Sequence, residues 1–419
     1  MASDIMPRKK IELCLASPTL YPPRGGAELR FLSYLSGLCQ RDINIRIFSG
    51  TPKSKKLTED DCAQDWYQTS PGTIIHPVPY NGVPIHWVRL PDKNKKERIA
   101  SFNQELLTYC QNPETRPDVI QLIEPLVPAS TLALFHLKKL GIARIFAYSL
   151  PYKLPSKPLK KLFRRWALRR LYQQLDCVVT ASAETRDLAF SLGLKNRIEV
   201  IPNGVNLTRF HPISAKAKTA LSTALGLGDA AQVMITVGSI IPRKGIDFLL
   251  KVWIPLARQF PELHLVFVGP NFNKNDPESR SFQKKLEGLI AESGARDRVH
   301  FTGRVQNVEE YLQAADLFVF ASEREGMANV VLEAMASQLP IVMTPHIGLP
   351  PDFGQPDDQY LLVERSLAPF VSAITNLLEN DERRNKLAQS GREWVEKTMD
   401  IESILDRYAD LYHGLADDR

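Results

Sequence analysis

The chain has 419 residues, a formal net charge of +6 and 44% hydrophobic residues; that length predicts two or three domains with ample core. The modest charge reads as solubility plus a local basic patch, not as nucleic-acid binding. No apolar run approaches the ~20 residues of a membrane span, and five scattered cysteines (Cys14, Cys39, Cys62, Cys110, Cys177) without metal-ligand spacing read as reduced thiols of a cytoplasmic protein.

The start, MASDIMPRKK, is followed only by a short apolar run, Ile11 to Ala16, with no cleavage-like site, so no secretory signal is expected. Ile11 to Ser17 reads as a buried strand. Tyr21, Pro22, Pro23, Gly25 and Gly26 make a loop, and Ala27 to Leu38 carries Leu29, Leu32, Leu35 and Leu38 at helical spacing. Paired glycines between a first strand and a first helix put bare backbone against a ligand, although they are also frequent in turns. The lack of G-x-G-x-x-G counts against a nicotinamide dehydrogenase. Further strands are expected at Ile43 to Ser49, Ile85 to Leu90, Asp118 to Ile123 and Arg144 to Tyr148, with a long excursion over 51–82 and a helix from Asp92 to Tyr109. This alternation predicts a parallel, doubly wound α/β sheet with ligands at the C-terminal strand ends. By that rule Glu124, Ser149 and Tyr152 face the cleft.

Next, Lys153, Lys157, Lys160, Lys161, Arg164, Arg165, Arg169 and Arg170 stand without an acid until Asp176, while Leu159, Leu162, Phe163, Trp166 and Leu171 recur at helical spacing. Two readings stand side by side. Residues 157–170 form a basic amphipathic helix for an anionic membrane or a cationic acceptor entrance, or they pack on the core with a solvated charged face. Strands Asp176 to Ala181 and Arg197 to Ile201 lead to the Asn203-Gly204 turn and Pro212, a change of domain. The pattern restarts with strand Gln232 to Val237 and the segment GSIIPRKGIDFLL, where Lys244, before Gly245 at a helix mouth, is placed to neutralise a diphosphate. Strands at Leu263 to Gly269, Val299 to Phe301, Leu317 to Phe320, Pro340 to Thr344 and Gln359 to Val363 continue the sheet, and helices follow at Leu367 to Leu378, Glu382 to Glu396 and Ile401 to Leu415.

The most informative stretch is ADLFVFASEREGMANVVLEAMASQLP, Ala315 to Pro340. A buried strand, a glycine loop and a helix capped by Asn329 make an anion site from unpaired amides and the helix dipole. Glu325 in the loop and Glu333 in an apolar helix are separated by seven residues. Acidic residues are favoured at helix starts by the dipole alone, and a hydrolase carboxylate pair is a second reading. A mostly helical path of up to about 12 Å suits a grip on two ends of one elongated ligand, a nucleotide sugar.

The run Glu-Gly-Met-Ala-Asn-Val-Val-Leu-Glu-Ala-Met-Ala resembles the E-x7-E signature of the retaining GT-B glycosyltransferases, in particular family 4. The resemblance implies two Rossmann-like domains facing a central cleft: residues 1–204 on the acceptor side, 205–398 binding the nucleotide sugar, and 399–419 crossing back to the first domain. It implies that Glu325 binds donor-sugar hydroxyls, that Glu333 binds the ribose, and that the backbone of Gly326, Met327, Ala328, Asn329 and Val330 holds diphosphate and sugar. Gly25 and Gly26 would approach the donor phosphates, and Gly303, Arg304 and Val305 would present backbone to the base. Relatives commonly carry histidine where Ser149 stands and arginine where Ser239 stands. Arg243 would replace that charge, giving Glu325, Lys244 and Arg243 as the catalytic set. The implied reaction is retaining hexosyl transfer from a UDP- or GDP-sugar to a hydroxyl of a glycan, lipid or small molecule. It would need no metal and no cofactor, on the cytoplasmic side and peripheral to the inner face of a membrane. A nucleotide-sugar epimerase and a non-catalytic sugar-nucleotide-binding protein are the alternatives.

Overall fold

The computed structural model describes residues 9–21, 26–51, 74–75, 79–123, 130–147, 158–191, 193–228, 231–270, 272 and 276–418. The chain divides into two compact units, Met1–Pro202 with Glu402–Arg419, and Asn203–Ile401.

The first unit holds an eight-stranded sheet: β1 (Ile11–Ser17), β2 (Ile43–Gly50), β3 (Ile74–Ile75), β4 (Ile85–Val88), β5 (Val119–Leu122), β6 (Ala143–Ala147), β7 (Cys177–Thr180) and β8 (Arg197–Val200). The order is β3-β4-β2-β1-β5-β6-β7-β8, and every pair is parallel except β3 with β4. The inner strands β5, β6 and β7 are buried at every position, as strands covered on both faces require. The antiparallel β3 falls inside the excursion expected over 51–82.

The helix Ile401–Asp417 closes this unit. Its residues Ile404, Leu405, Tyr408, Ala409, Leu411, Tyr412 and Leu415 recur at helical spacing and are all buried. Tyr408 packs between Tyr34 and Phe31 of the helix Gly26–Cys39, with ring centroids 5.7 and 6.1 Å away. Arg41 grips the start of the C-terminal helix at Glu402 (2.9 Å) and Asp406 (2.7 Å).

The second unit holds an all-parallel sheet of β9 (Gln232–Val237), β10 (Leu263–Val268), β11 (Val299–Phe301), β12 (Leu317–Phe320), β13 (Ile341–Met343) and β14 (Leu361–Leu362), in the order β11-β10-β9-β12-β13-β14. Period-two alternation sends Phe318 and Phe320 of β12 to one core and Leu317 and Val319 to the other. Helices cover both faces. Ile246–Gln259 buries Ile246, Leu249, Leu250, Trp253 and Leu256 on one stripe; Asn329–Ala336 buries Val331, Leu332, Ala334 and Met335 on the other side. The chain steps from β9 outward to β11 and then returns to the far side of β9 as β12. That reversal leaves a crevice at the C-terminal ends of β9 and β12, the place where open α/β sheets bind ligands.

Candidate functional site

The loop after β9 runs through Gly238 and Ser239 into a short 3-10 turn, Pro242–Lys244, and Gly245 then starts the helix Ile246–Gln259. Gly245 has φ of 71°, and a Cβ there would lie 2.3 Å from the Ala321 carbonyl oxygen. Only glycine lets this helix begin so close to the end of β12. The same holds at the end of β10, where Gly269 has φ of 146° and a Cβ would lie 2.2 Å from the Gly238 carbonyl oxygen. The Gly269 N–H donates to the Gly303 carbonyl (3.1 Å), so the backbones that follow β9, β10 and β11 lie side by side without side chains between them.

Lys244 and Arg243 both converge on Glu325. Oε1 of Glu325 accepts from Lys244 Nζ (2.8 Å), Arg243 Nη1 (2.8 Å) and Ser322 Oγ (2.6 Å). The Glu323 N–H donates to the Arg243 carbonyl (2.9 Å), and the Arg243 guanidinium also reaches the Arg324 carbonyl. Burial by itself would raise the Glu325 carboxyl. The Lys244 charge, hydrogen bonds from Lys244 and Ser322, and the Arg243 charge outweigh it and hold the pKa below the ordinary value. Two cations thus share one ionised carboxylate at the switch point, and the surplus positive charge suits a diphosphate. Lys244 Nζ also lies 5.6 Å from the centroid of the Phe320 ring.

Glu333 sits in a different environment. Within the helix Asn329–Ala336 it keeps some accessible surface, but its carboxyl is recessed. Desolvation pushes its pKa up to about 7, with the Arg209 charge lowering it and the Glu309 charge raising it. Arg209 is itself committed to Glu309 (2.6 Å). No described residue hydrogen-bonds the Glu333 carboxyl, so it is a recessed acceptor open to a ligand hydroxyl.

Asn329 is not the cap. It is the first helical residue, Ala328 takes the cap position, and no side chain caps the helix. Instead Asn329 Oδ1 accepts from Asn203 Nδ2, and the Asn203 N–H reaches Met327 Sδ (3.3 Å). Two polar side chains thereby pin the helix start while the first-turn amides stay uncapped. Gly303, exposed Arg304 and half-buried Val305 follow β11, and half-buried Ser239 follows β9. In the first unit, Gly26 opens the helix Gly26–Cys39. Gly25, Glu124, Ser149 and Tyr152 lie outside the described residues.

Sequence reasoning passed over His346, which sits beside this cluster. It follows β13 in the segment TPHIGLP, and its ring meets Phe320 edge-on at 5.5 Å. No periodicity or spacing marks it.

The basic helix spans Pro158–Tyr172. The reading that packs its apolar residues on the core is overturned for three of them: Leu162, Phe163 and Trp166 are 67%, 68% and 54% exposed, while Leu171 and Tyr172 are buried. Arg165, Arg169, Arg170 and Gln173 line an open depression with these three residues, and Arg165 donates to the Ser191 carbonyl (3.0 Å) of the neighbouring helix Ala183–Ser191. Among the described residues, no helix is long and apolar enough to cross a membrane, and no group of three or more His, Cys, Asp or Glu is placed to hold a metal.

Two family profiles match consecutive parts of the chain: Glycosyltransferase Family 4 over residues 24–209 and Glycosyl transferases group 1 over residues 218–394. Mannosylfructose-phosphate synthase of Agrobacterium fabrum is 31% identical over 43% of this chain, and the match spans 40% of that enzyme. The GDP-mannose-dependent alpha-(1-6)-phosphatidylinositol monomannoside mannosyltransferase of Mycolicibacterium smegmatis is 26% identical over 94% of this chain and 96% of its own length. The chain spans less than two thirds of the length of several other curated relatives, including the Rhizobium meliloti lipopolysaccharide core glycosyltransferase LpsE, at 65%. In fold, the chain is similar to the sucrose-phosphate synthase of Thermosynechococcus elongatus, with a TM-score of 0.75, 19% identity, and coverage of 98% of this chain and 100% of that one. With both halves matched and the fold shared, the chain belongs to the group 1, family 4-like glycosyltransferases of GT-B fold.

Proposed function

We propose that the chain transfers a hexosyl group from a UDP- or GDP-linked sugar to an acceptor hydroxyl, with retained anomeric configuration and without a metal ion. The observation that carries this reading is the convergence of Lys244 and Arg243 on Glu325 at the switch point of the second sheet. A bound diphosphate would compete for the two cations and leave the Glu325 carboxylate to accept from hydroxyls of the sugar. As the bond between the anomeric carbon and the phosphate oxygen breaks, negative charge builds on the diphosphate. Lys244, Arg243 and the uncapped amides of the helix Asn329–Ala336 would stabilise it, which is usually the largest catalytic term. The acceptor oxygen bonds the anomeric carbon on the same face, and its proton passes to the departing phosphate oxygen. Glu333 is assigned to the ribose hydroxyls, and the backbone of Gly303 to Val305 to the base.

The acceptor is proposed to be a glycan or a lipid-linked sugar. The Mycolicibacterium relative is named as a phosphatidylinositol monomannoside mannosyltransferase. The exposed aromatic and basic side chains of the helix Pro158–Tyr172 also fit the interface of an anionic membrane, with Phe163 and Trp166 at headgroup depth and the arginines on phosphates. The protein would then act on the cytoplasmic side as a peripheral membrane enzyme. A panel of UDP-, GDP- and ADP-sugars tested by thermal shift identifies the donor, because a ligand that binds only the folded state raises the melting temperature by mass action. A protein stabilised by no nucleotide sugar would refute the proposal.

A further inference from the structure

We propose that His346 reads the donor sugar: its Nε2 accepts a hydrogen bond from a hydroxyl of the sugar that Glu325 holds. The inference rests on the donor reading above and deepens it with a residue that neither the signature nor its spacing singles out.

The backbone holds His346 at the cluster. The next residue, Ile347, is tied on both sides to the loop that carries Glu325: its N–H donates to the Glu323 carbonyl (3.0 Å), and its carbonyl accepts from the Glu325 N–H (3.0 Å). The His346 ring meets the Phe320 ring at 5.5 Å, and Lys244 Nζ lies 5.6 Å from the same ring. Imidazole, ammonium and carboxylate therefore gather at the ends of β12 and β13.

The chemistry of the ring then selects the partner. His346 Nδ1 lies 3.3 Å from the Thr344 carbonyl oxygen, an acceptor that only an N–H can satisfy. In the neutral ring the proton sits on Nδ1 and the lone pair on Nε2. Burial lowers the His346 pKa; the Thr344 hydrogen bond and the Glu325 charge oppose this, and Lys244 adds to it. The net shift is downward, which favours the neutral ring. Nε2 is buried and has no partner among the described residues, and the nearby Thr344 Oγ1 is in the same state. Most buried polar side-chain atoms are hydrogen-bonded, so an unpaired Nε2 beside the Glu325 and Lys244 cluster points to a partner supplied by a ligand. A bare lone pair has nothing to offer a diphosphate oxygen, which carries no hydrogen, whereas a sugar hydroxyl can donate to it. Nucleoside diphosphate alone would leave Nε2 unpaired, and the sugar would complete it.

The test uses the full chain and two variants, His346→Leu, which removes the acceptor, and His346→Gln, whose amide oxygen can replace it. Calorimetric titrations with UDP, GDP and the sugar nucleotide selected by the wild type give the affinity gained from the sugar as the ratio of the two dissociation constants. The expected result is a loss of about 5- to 10-fold in that ratio for His346→Leu. Affinity for the nucleoside diphosphate alone should stay within about twofold, and His346→Gln should recover most of the ratio. An unchanged ratio in His346→Leu, or an equal loss for nucleotide and sugar nucleotide, overturns the assignment while leaving the donor site standing. A wild type that binds no sugar nucleotide overturns the donor reading and this inference with it.

Discussion

Glu333→Gln separates binding from stability in one substitution. The Glu333 carboxyl moves from an ordinary 4.5 to about 7 on burial, so the folded state holds its proton more tightly than the unfolded chain does. For an acid shifted upward, the ionised form is the costly one. The penalty is absent below pH ~4.5, grows through the interval up to about 7 and is fully present above it. At about 1.4 kcal/mol per unit the shift corresponds to roughly 3 kcal/mol, and partial solvent access reduces this to about 1–2 kcal/mol. Glutamine keeps the shape and removes the charge. Scanning calorimetry at pH 8 should therefore show the variant melting about 2–8 °C higher for a unit of this size. The difference should shrink as the pH approaches 5. Affinity for UDP or GDP should fall by about 1–3 kcal/mol, because a charged acceptor for a ligand hydroxyl is gone. Wild-type nucleotide affinity should itself strengthen as pH rises through 7 and lose that dependence in the variant. A variant no more stable than wild type at pH 8, with unchanged nucleotide affinity, would refute both the burial and the assignment.

Lys244→Ala should lower turnover at least ~10²-fold, and Arg243→Ala nearly as much, whereas Glu325→Ala should lower turnover with little change in nucleotide affinity; steady-state kinetics on the identified donor decide each. Gly269→Ala should destabilise the second unit by about 2–4 kcal/mol, read from denaturant midpoints, because both the left-handed backbone and the Gly238 carbonyl at 2.2 Å oppose a Cβ. Tyr408→Ala, which empties a buried site against Tyr34 and Phe31, should cost about 3–5 kcal/mol in the same measurement. Co-sedimentation with vesicles rich in acidic lipid should fall steeply with salt. It should be lost when Phe163 and Trp166 become serine together with Arg165, Arg169 and Arg170 to glutamine; wild type left in the supernatant at low salt would show that this face binds no membrane.

What the sequence discloses depends on how local the cause is. The strands of the second sheet are legible because parallel strands buried on both faces leave apolar runs, such as Leu265–Val268 and Leu317–Phe320. The two-residue β3 leaves no pattern to read. Asn329 has the chemistry of a cap, but its partner Asn203 lies 126 residues away, beyond any local rule. The gathering of Arg243 and Lys244 on Glu325 is likewise set by the return of β12 to β9, which spacing cannot show. Amphipathicity in the helix Pro158–Tyr172 is plain from its residues, yet only the fold tells that Phe163 and Trp166 face outward. His346 carries no sequence signal, since its meaning lies in an unpaired nitrogen.

The most direct test of the donor site is a calorimetric titration of wild type and Lys244→Ala with a panel of nucleotide sugars. Wild type should bind a sugar linked to one base in preference to the others, and Lys244→Ala should weaken this binding about 10-fold or more through the lost contact with the diphosphate. Equal binding by the two proteins, or none by the wild type, would contradict a donor site at the ends of β9 and β12.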